Sequence, residues 1–574
     1  MADISSWDLI AVKKDLIKAQ QECSQRGLMH SAKWTAEMAF ALRETIDYKE
    51  IQEIIQKSQT LGADYEKYTL ARSYFDVKEY DRAAYFIQDC SHPKVYFLYM
   101  YSRYLADEKR KTDNRPDSIG PPKKIENGNL KVLQSELSER HKKKELDGFC
   151  LYLYGVVLKK LDFVKEAIDV FVEAVRKEPL HWGAWQEMTR LITDREMMSS
   201  LVLPDHWMKQ FFLAHLYLEL QMNDEAVKLY MRLCSHGFHR STYIMAQNAL
   251  AFHNRRAVDQ AVSAFESLQK YDPYRLDNMD TYSNLLYVKE MRAELAYLAH
   301  RCCDIDKYRM ETCCVIGNYY SLRSQHEKAV LYFQRALRLN PHYLSAWTLI
   351  GHEFMEMKNS SAAIQAYRQA VEVNRRDYRA WYGLGQTYEI MKMPFYSLYY
   401  YRQAHQLRPN DSRMVVAMGE SYEKLDQLQE AKKCFWKAHS LGDVEGLALI
   451  KLARLYEKLK EEEQAAAAYT EFIYEAAHQG NYSREDQSQA YMFLTNYYLK
   501  REMLDEALSA AQKCAEFTET REEAKDMLKE IANLRMREGA QIQEVNVSIT
   551  DDQLPSGDHT PFSSLPPMNL RFTP

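Results

Sequence analysis

Neither sign of charge dominates this sequence: 76 Lys and Arg stand against 81 Asp and Glu, for a net charge of −5. That balance excludes the strong basic field with which proteins hold nucleic acid or an anionic membrane. No window approaches the roughly 18 uninterrupted apolar residues that a membrane span requires, so none is expected. The stretch from Met1 to Trp7 lacks a basic segment followed by an apolar run, so no secretory signal is expected either. Ten cysteines are scattered without a Cys-x-x-Cys, and two pairs are adjacent, Cys302-Cys303 and Cys313-Cys314. Neighbours on a helix point in different directions, which makes these pairs poor disulfide or zinc candidates. Reduced thiols in a packed core are expected instead, which favours nucleus and cytoplasm. Glycine and proline are scarce, at 18 and 15, whereas tyrosine reaches 41. Such a composition suits stacked helices with aromatic knobs filling the gaps between them.

The motifs of common catalytic sites are missing as well. There is no Gly-x-x-x-x-Gly-Lys-Ser/Thr loop, no complete Gly-x-Gly-x-x-Gly after a strand, and no Gly-x-Ser-x-Gly elbow. Gly383-x-Gly385 falls inside a helical repeat, where close packing accounts for it. His352-Glu353 lacks the second histidine of a zinc protease, since Glu356 stands there. Cys234, His236 and His239 gather at a repeat junction and read as a surface turn. No segment outside the repeats has room for a catalytic domain. A non-enzyme is expected, with no cofactor and no metal.

What is present is a period. Gly317, Gly351, Gly385 and Gly419 lie 34 residues apart, and other columns keep the same step. They include Ala336, Ala370, Ala404 and Ala438; Tyr320, Phe354, Tyr388 and Tyr422; and Phe333, Tyr367, Tyr401 and Phe435. This self-similarity is the signature of the tetratricopeptide repeat, a helix–turn–helix unit. It predicts an all-α solenoid superhelix in which each unit touches mainly its neighbours. Gapless repeats are set at 310–343, 344–377, 378–411 and 412–445. The glycine at position 8 is expected to let the first helix press on the second, answered at position 20 by Ala329, Ala363, Ser397 and Ala431. Decaying copies extend from a start near residue 13 to one at 488, about fourteen hairpins in all. In the unit near 276, Leu295 and Ala299 replace the usual small and aromatic residues.

The same columns divide the chain. Repeat-like helices are expected over 1–105, a mobile charged loop over 106–128, and further repeats over 129–275. A C-terminal superhelix with a peptide-binding groove is expected over 276–535, and a disordered tail over 536–574. A charged helix from Leu130 to Leu146 is expected after the loop. The tail holds Thr560-Pro561 and Thr573-Pro574, minimal sites for proline-directed phosphorylation.

Positions 2, 5, 9 and 12 of each first helix form one stripe opposite the packed face. From 310 it reads Glu311, Cys314, Asn318, Ser321; Ser345, Thr348, His352, Met355; Arg379, Tyr382, Gln386, Glu389; Arg413, Val416, Glu420, Glu423, with Glu353 and Glu356 beside it. Amides, aromatics and carboxylates suit an extended peptide carrying arginine, which carboxylates grip bidentately. The candidate groove residues are Asn318, His352, Glu353, Tyr382, Gln386, Glu389, Glu420 and Glu423. The competing reading is that these are solvated polar faces of helices. A lysine-rich clamp for chaperone tails does not fit, because only Arg379 and Arg413 on this stripe are basic.

Several long strings go further. Tyr74-Phe-Asp-Val-Lys-Glu-Tyr-Asp-Arg-Ala-Ala84, Glu311-Thr-Cys-Cys-Val-Ile-Gly-Asn-Tyr-Tyr320 and Tyr378-Arg-Ala-Trp-Tyr-Gly-Leu-Gly-Gln-Thr-Tyr388 resemble the subunit-eight family of the anaphase-promoting complex. The resemblance covers about residues 7–535. It implies a non-catalytic scaffold of a multisubunit ubiquitin ligase that controls mitotic progression. It further implies homodimerisation through roughly residues 1–270, stacking with other tetratricopeptide subunits and small accessory subunits, and a C-terminal groove for the coactivator's basic motif, Asp-Arg-Phe-Ile-Pro-x-Arg. The alternative is a stand-alone adaptor or co-chaperone that binds peptide tails.

Overall fold

The computed structural model describes residues 7–42, 64–113, 128–443, 446–479, 483–518 and 520–546. All regular elements among them are helical. None of these helices is long and apolar enough to cross a membrane. Two compact units result, Met1–Ala346 and Trp347–Pro574. Each is a succession of packed helix pairs. Gly148–Lys160 with Val164–Lys177 and Met310–Leu322 with His326–Leu339 belong to the first unit. Tyr378–Ile390 with Pro394–Leu407 and Ser412–Lys424 with Leu428–Ser440 belong to the second. The fold class is the one the period predicts, an all-α tetratricopeptide-repeat solenoid.

The glycine column has a sharper cause than the sequence suggests. A methyl group added at Gly317, Gly351, Gly385 or Gly419 would collide with the ring of Phe333, Tyr367, Tyr401 or Phe435, respectively. Gly155 and Phe171 repeat the arrangement in the earlier unit 148–181. The partner of position 8 is therefore the ring at position 24, not the small residue at position 20. Position 20 is small for its own burial: Ala329, Ala363, Ser397 and Ala431 are all fully covered. Tyr367 is held from both sides, because Gly383 of the next repeat also abuts its ring. That packing accounts for the Gly383-x-Gly385 pair.

A second constraint sets the turn between the two helices. Ser324, Lys358, Lys392, Asp426 and Lys460, all at position 15, adopt φ of 58° to 60°. The same position is left-handed in other units, at Gly27, Lys78, Asp162, Gln221, Arg256, Glu290 and Glu502. The next N–H then bonds back to the carbonyl at position 11: Asn359 to Phe354 at 2.8 Å, Met393 to Tyr388 at 2.9 Å, Gln427 to Tyr422 at 3.0 Å. This six-to-one closure ends the first helix and reverses the chain. The units near 95 and 182 lack it. The first has the single long helix Pro93–Asp113, and the second pairs Trp182–Thr189 with the short Arg195–Ser200.

Two boundaries move. The helix Pro93–Asp113 enters the stretch expected to be a loop from 106 to 128. Its charges support it, since Lys111 pairs with Asp107 at 2.8 Å and Glu108 at 3.4 Å. Lys160 also reaches Glu108, at 3.1 Å. Residues 114–127 of that expected loop lie outside the described residues, and the next helix spans Gly128–Lys142. The last helix, Arg521–Asn546, crosses the tail boundary at 536. An interior glycine such as Gly539 costs a helix only about 1 kcal/mol, too little to end it among Glu, Lys, Arg and Ala. The rest of the tail, 547–574, with Thr560 and Thr573, lies outside the described residues. The ten cysteines are unpaired, and most are buried.

In the first unit, the chain's own helix Met29–Ala41 lies across the stripe positions of later repeats. Trp34 stacks on Trp182 at 4.4 Å and meets Phe211 and Tyr243 edge-on at 5.6 and 5.7 Å. Ser31 Oγ accepts the Gly183 N–H at 3.1 Å, and Lys33 pairs with Asp277 at 2.9 Å. Phe211 stands at position 5 of its repeat, and Tyr243 and Asp277 at position 2 of theirs. That part of the stripe is filled from within the chain.

Two substitutions test these constraints by thermal unfolding. Lys392→Gly relieves a left-handed side-chain residue and is expected to be neutral or stabilising by up to about 1 kcal/mol, whereas Lys392→Val is expected to destabilise. The reverse order contradicts the turn geometry. Trp34→Ala is expected to cost the first unit about 3–5 kcal/mol, with an unchanged melting temperature contradicting the packing of Met29–Ala41.

Candidate functional site

In the repeats from 310 to 445 each first helix presents its stripe because the opposite face is locked by the glycine–ring contact. The two units give this stripe different fates. In the first, Glu311, Cys314, Asn318 and Ser321 are all buried. Glu311 accepts from Arg309 Nε at 2.8 Å. Asn318 donates through Nδ2 to Ser283 Oγ and Asn284 Oδ1, both at 2.7 Å. The amide protons expected to hold a peptide backbone are thus spent joining neighbouring repeats.

In the second unit the stripe is half-buried, as the wall of a cleft should be. Tyr382, Gln386, Glu389, Glu420 and Glu423 keep part of their surface. Glu353 is buried, and His352 retains exposed ring surface although neighbouring side chains crowd it. That crowding, and secondarily the Arg379 charge, lowers the His352 pKa. The neutral imidazole can then accept the Tyr367 hydroxyl proton at Nδ1, 2.8 Å away.

The carboxylates are not bare. Glu389 accepts from Tyr401 Oη at 2.6 Å and from Lys424 Nζ at 2.6 Å. Glu420 pairs with Lys451 at 3.0 Å, and Glu423 pairs with Lys458. Each lysine comes from the following repeat. Arg379 and Arg413 are drawn toward Asp377 and Asp411, at 2.9 and 3.3 Å. The structure thus brings Glu389, Glu420 and Glu423 into a ladder of repeat-to-repeat ion pairs. Sequence reading missed the lysines and the Tyr401 hydroxyl. Lys424 and Lys458 sit at position 13 of successive repeats, one place beyond the acids of the previous unit, so the register itself carried the signal.

Such a ladder can still receive a guanidinium. Partly exposed Lys–Glu pairs contribute only about 0–1 kcal/mol, while arginine offers a planar fork that a carboxylate meets with two hydrogen bonds. An arriving arginine displaces the lysine head to water at little cost. Nothing in this arrangement resembles a nucleophile with its base.

Fold and repeats define a tetratricopeptide-repeat protein. The family model described as anaphase promoting complex subunit 8 / Cdc23 matches residues 11–249, and tetratricopeptide-repeat models match 311–343 and 348–390. The chain is 58% identical over 300 residues to the cell division cycle protein 23 homolog of Homo sapiens, covering 52% of this chain and 50% of that one. It is 46% identical over 243 residues to anaphase-promoting complex subunit 8 of Arabidopsis thaliana, covering 42% of each. The chain spans about half the length of the curated relatives it matches. The crystal structure of the APC/C hetero-tetramer Cut9–Hcn1 shares the fold, with a TM-score of 0.55 at 17% identity over 84% of this chain and 91% of that one. The similarity to anaphase-promoting complex subunit 8 / Cdc23 proteins thus spans residues 11–249 in the family model and about half of each relative.

Proposed function

We propose that the chain is a non-catalytic scaffold subunit of the anaphase-promoting complex and that its second unit docks the basic motif of a coactivator. Ubiquitin transfer then belongs to other subunits, and this chain supplies geometry and docking. Similarity to anaphase-promoting complex subunit 8 / Cdc23 proteins supports the scaffold role. The groove role rests on one observation, the half-buried carboxylates Glu389, Glu420 and Glu423 whose ion-pair partners are exchangeable lysines. A motif with two arginines matches those acids in charge and in hydrogen-bonding geometry. His352, Tyr382 and Gln386 provide neighbouring aromatic and amide contacts.

Both halves of the chain take part in assembly. Repeats before 276 serve homodimerisation and those after it serve docking, alongside other tetratricopeptide and small accessory subunits. The chain works in nucleus and cytoplasm and is phosphorylated at Thr560 and Thr573. A stand-alone adaptor is the second reading, favoured only by the generality of peptide-binding repeats. Sizing of native extracts separates the two: a scaffold elutes in a particle far larger than a dimer.

The test of the groove is coactivator-motif peptide binding to the full chain. Glu389→Gln with Glu420→Gln is expected to weaken binding about tenfold or more. Lys424→Gln with Lys451→Gln is expected to strengthen it, because the competing cations are gone. Unchanged affinity in both variants contradicts the groove assignment and leaves the scaffold role standing.

A further inference from the structure

The first unit opens a cleft of about 310 Å³ where the helices Val258–Tyr271, Met279–Val288 and Arg292–Ile305 meet. It is lined by Gln269 of Val258–Tyr271, Tyr282 of Met279–Val288, and Ala293, Glu294, Tyr297 and Leu298 of Arg292–Ile305. It falls in a unit without the glycine–ring pair, where Ser283 holds position 8 and Ala299 holds position 24.

Three properties of the cleft point the same way. Its floor is aromatic and aliphatic: Tyr282 and Leu298 are buried, while Tyr297 stands at the rim, 67% exposed. Its charge is negative and unanswered. Glu294 lines it and Glu266 lies close enough to act on the Tyr282 phenol, and neither takes part in an ion pair among the described residues. The nearby cation, Arg301, is spent on the Pro273 carbonyl and on Gln269 Oε1 at 3.5 Å. Finally, Tyr282 is only 5% exposed, yet its hydroxyl has no hydrogen-bond partner among the described residues. The ring is buried while the hydroxyl opens onto the cleft without a protein partner, so a ligand group can take the place of water there. Burial first, then Glu266 and Glu294, raise the pKa of this phenol, and no basic group offsets them.

We propose that this cleft is a second docking site, which takes an arginine side chain from an extended segment of a protein partner. The guanidinium plane lies against tyrosine, where cation–π attraction adds to dispersion. Its N–H groups donate to Glu294 and Glu266, and one donates to the Tyr282 hydroxyl oxygen. Lysine fits less well, since its ammonium neither stacks nor forks. The cleft volume accommodates one such side chain, so the partner is anchored by a single residue.

The probe is a short Gly/Ser/Ala peptide with one central arginine next to photo-leucine, crosslinked to the full chain and mapped by mass spectrometry. Crosslinks are expected within residues 269–298. Replacing arginine by citrulline is expected to lower their yield about tenfold or more. Glu266→Gln with Glu294→Gln is expected to do the same, and Ala293→Phe, which plugs the cleft, gives an independent check. Glu389→Gln with Glu420→Gln is expected to leave these crosslinks intact, which separates this site from the groove of the second unit. Crosslinks absent from 269–298, or undiminished by citrulline on the unmodified chain, overturn the proposal.

Discussion

One contact recurs in five of the repeats and sets their geometry: a buried aromatic ring pressed onto the backbone of a glycine. In five repeats the ring at position 24 of the second helix lies where a Cβ at position 8 of the first would stand, and glycine holds that position. Close approach of this kind gains dispersion contacts over the whole ring face. It also fixes the rotation of the first helix about its axis. Once that face is committed inward, positions 2, 5, 9 and 12 have one direction left. The polar stripe in these repeats is thus a consequence of core packing, and the carboxylates on it inherit their register from the glycines.

The turn enforces the same geometry from the other end. Eleven side-chain-bearing residues accept the left-handed conformation at position 15, at a local cost that pairing of the helices outweighs. With turn and contact both fixed, residues 31 to 35 apart in neighbouring repeats meet in register. Glu389 with Lys424, Glu420 with Lys451 and Glu423 with Lys458 are the result. The two units use their stripes differently. In the first, Trp34 and its helix occupy stripe positions, and Asn318 is consumed by Ser283 and Asn284. In the second, the stripe remains partly open and electrostatically soft.

How far the sequence reveals this depends on whether an interaction repeats. Glycine, alanine and aromatic columns recur every 34 residues, so the solenoid and its helix pairs are legible from spacing alone. The identity of the glycine's partner is not, because Ala363 and Tyr367 keep the same period and only coordinates say which one approaches Gly351. Asn318 reads as an open amide because its partners, Ser283 and Asn284, belong to a unit whose pattern has decayed. Residues 106–113 read as a loop because their charges outnumber their apolar residues. Ion pairs from Lys111 and Lys160 make that stretch helical instead. The docking of Met29–Ala41 onto residues some 150 to 250 positions away has no periodic trace at all.

The most direct measurement is a double-mutant cycle on one glycine–ring pair, read as melting temperature of the full chain. With Tyr401 in place, Gly385→Ala is expected to cost about 1–3 kcal/mol, a fall of several degrees. In a Tyr401→Leu background, where no ring meets the added methyl, most of that cost should vanish. An equal penalty in both backgrounds would mean that the ring does not require the glycine, and that something else orients the stripe.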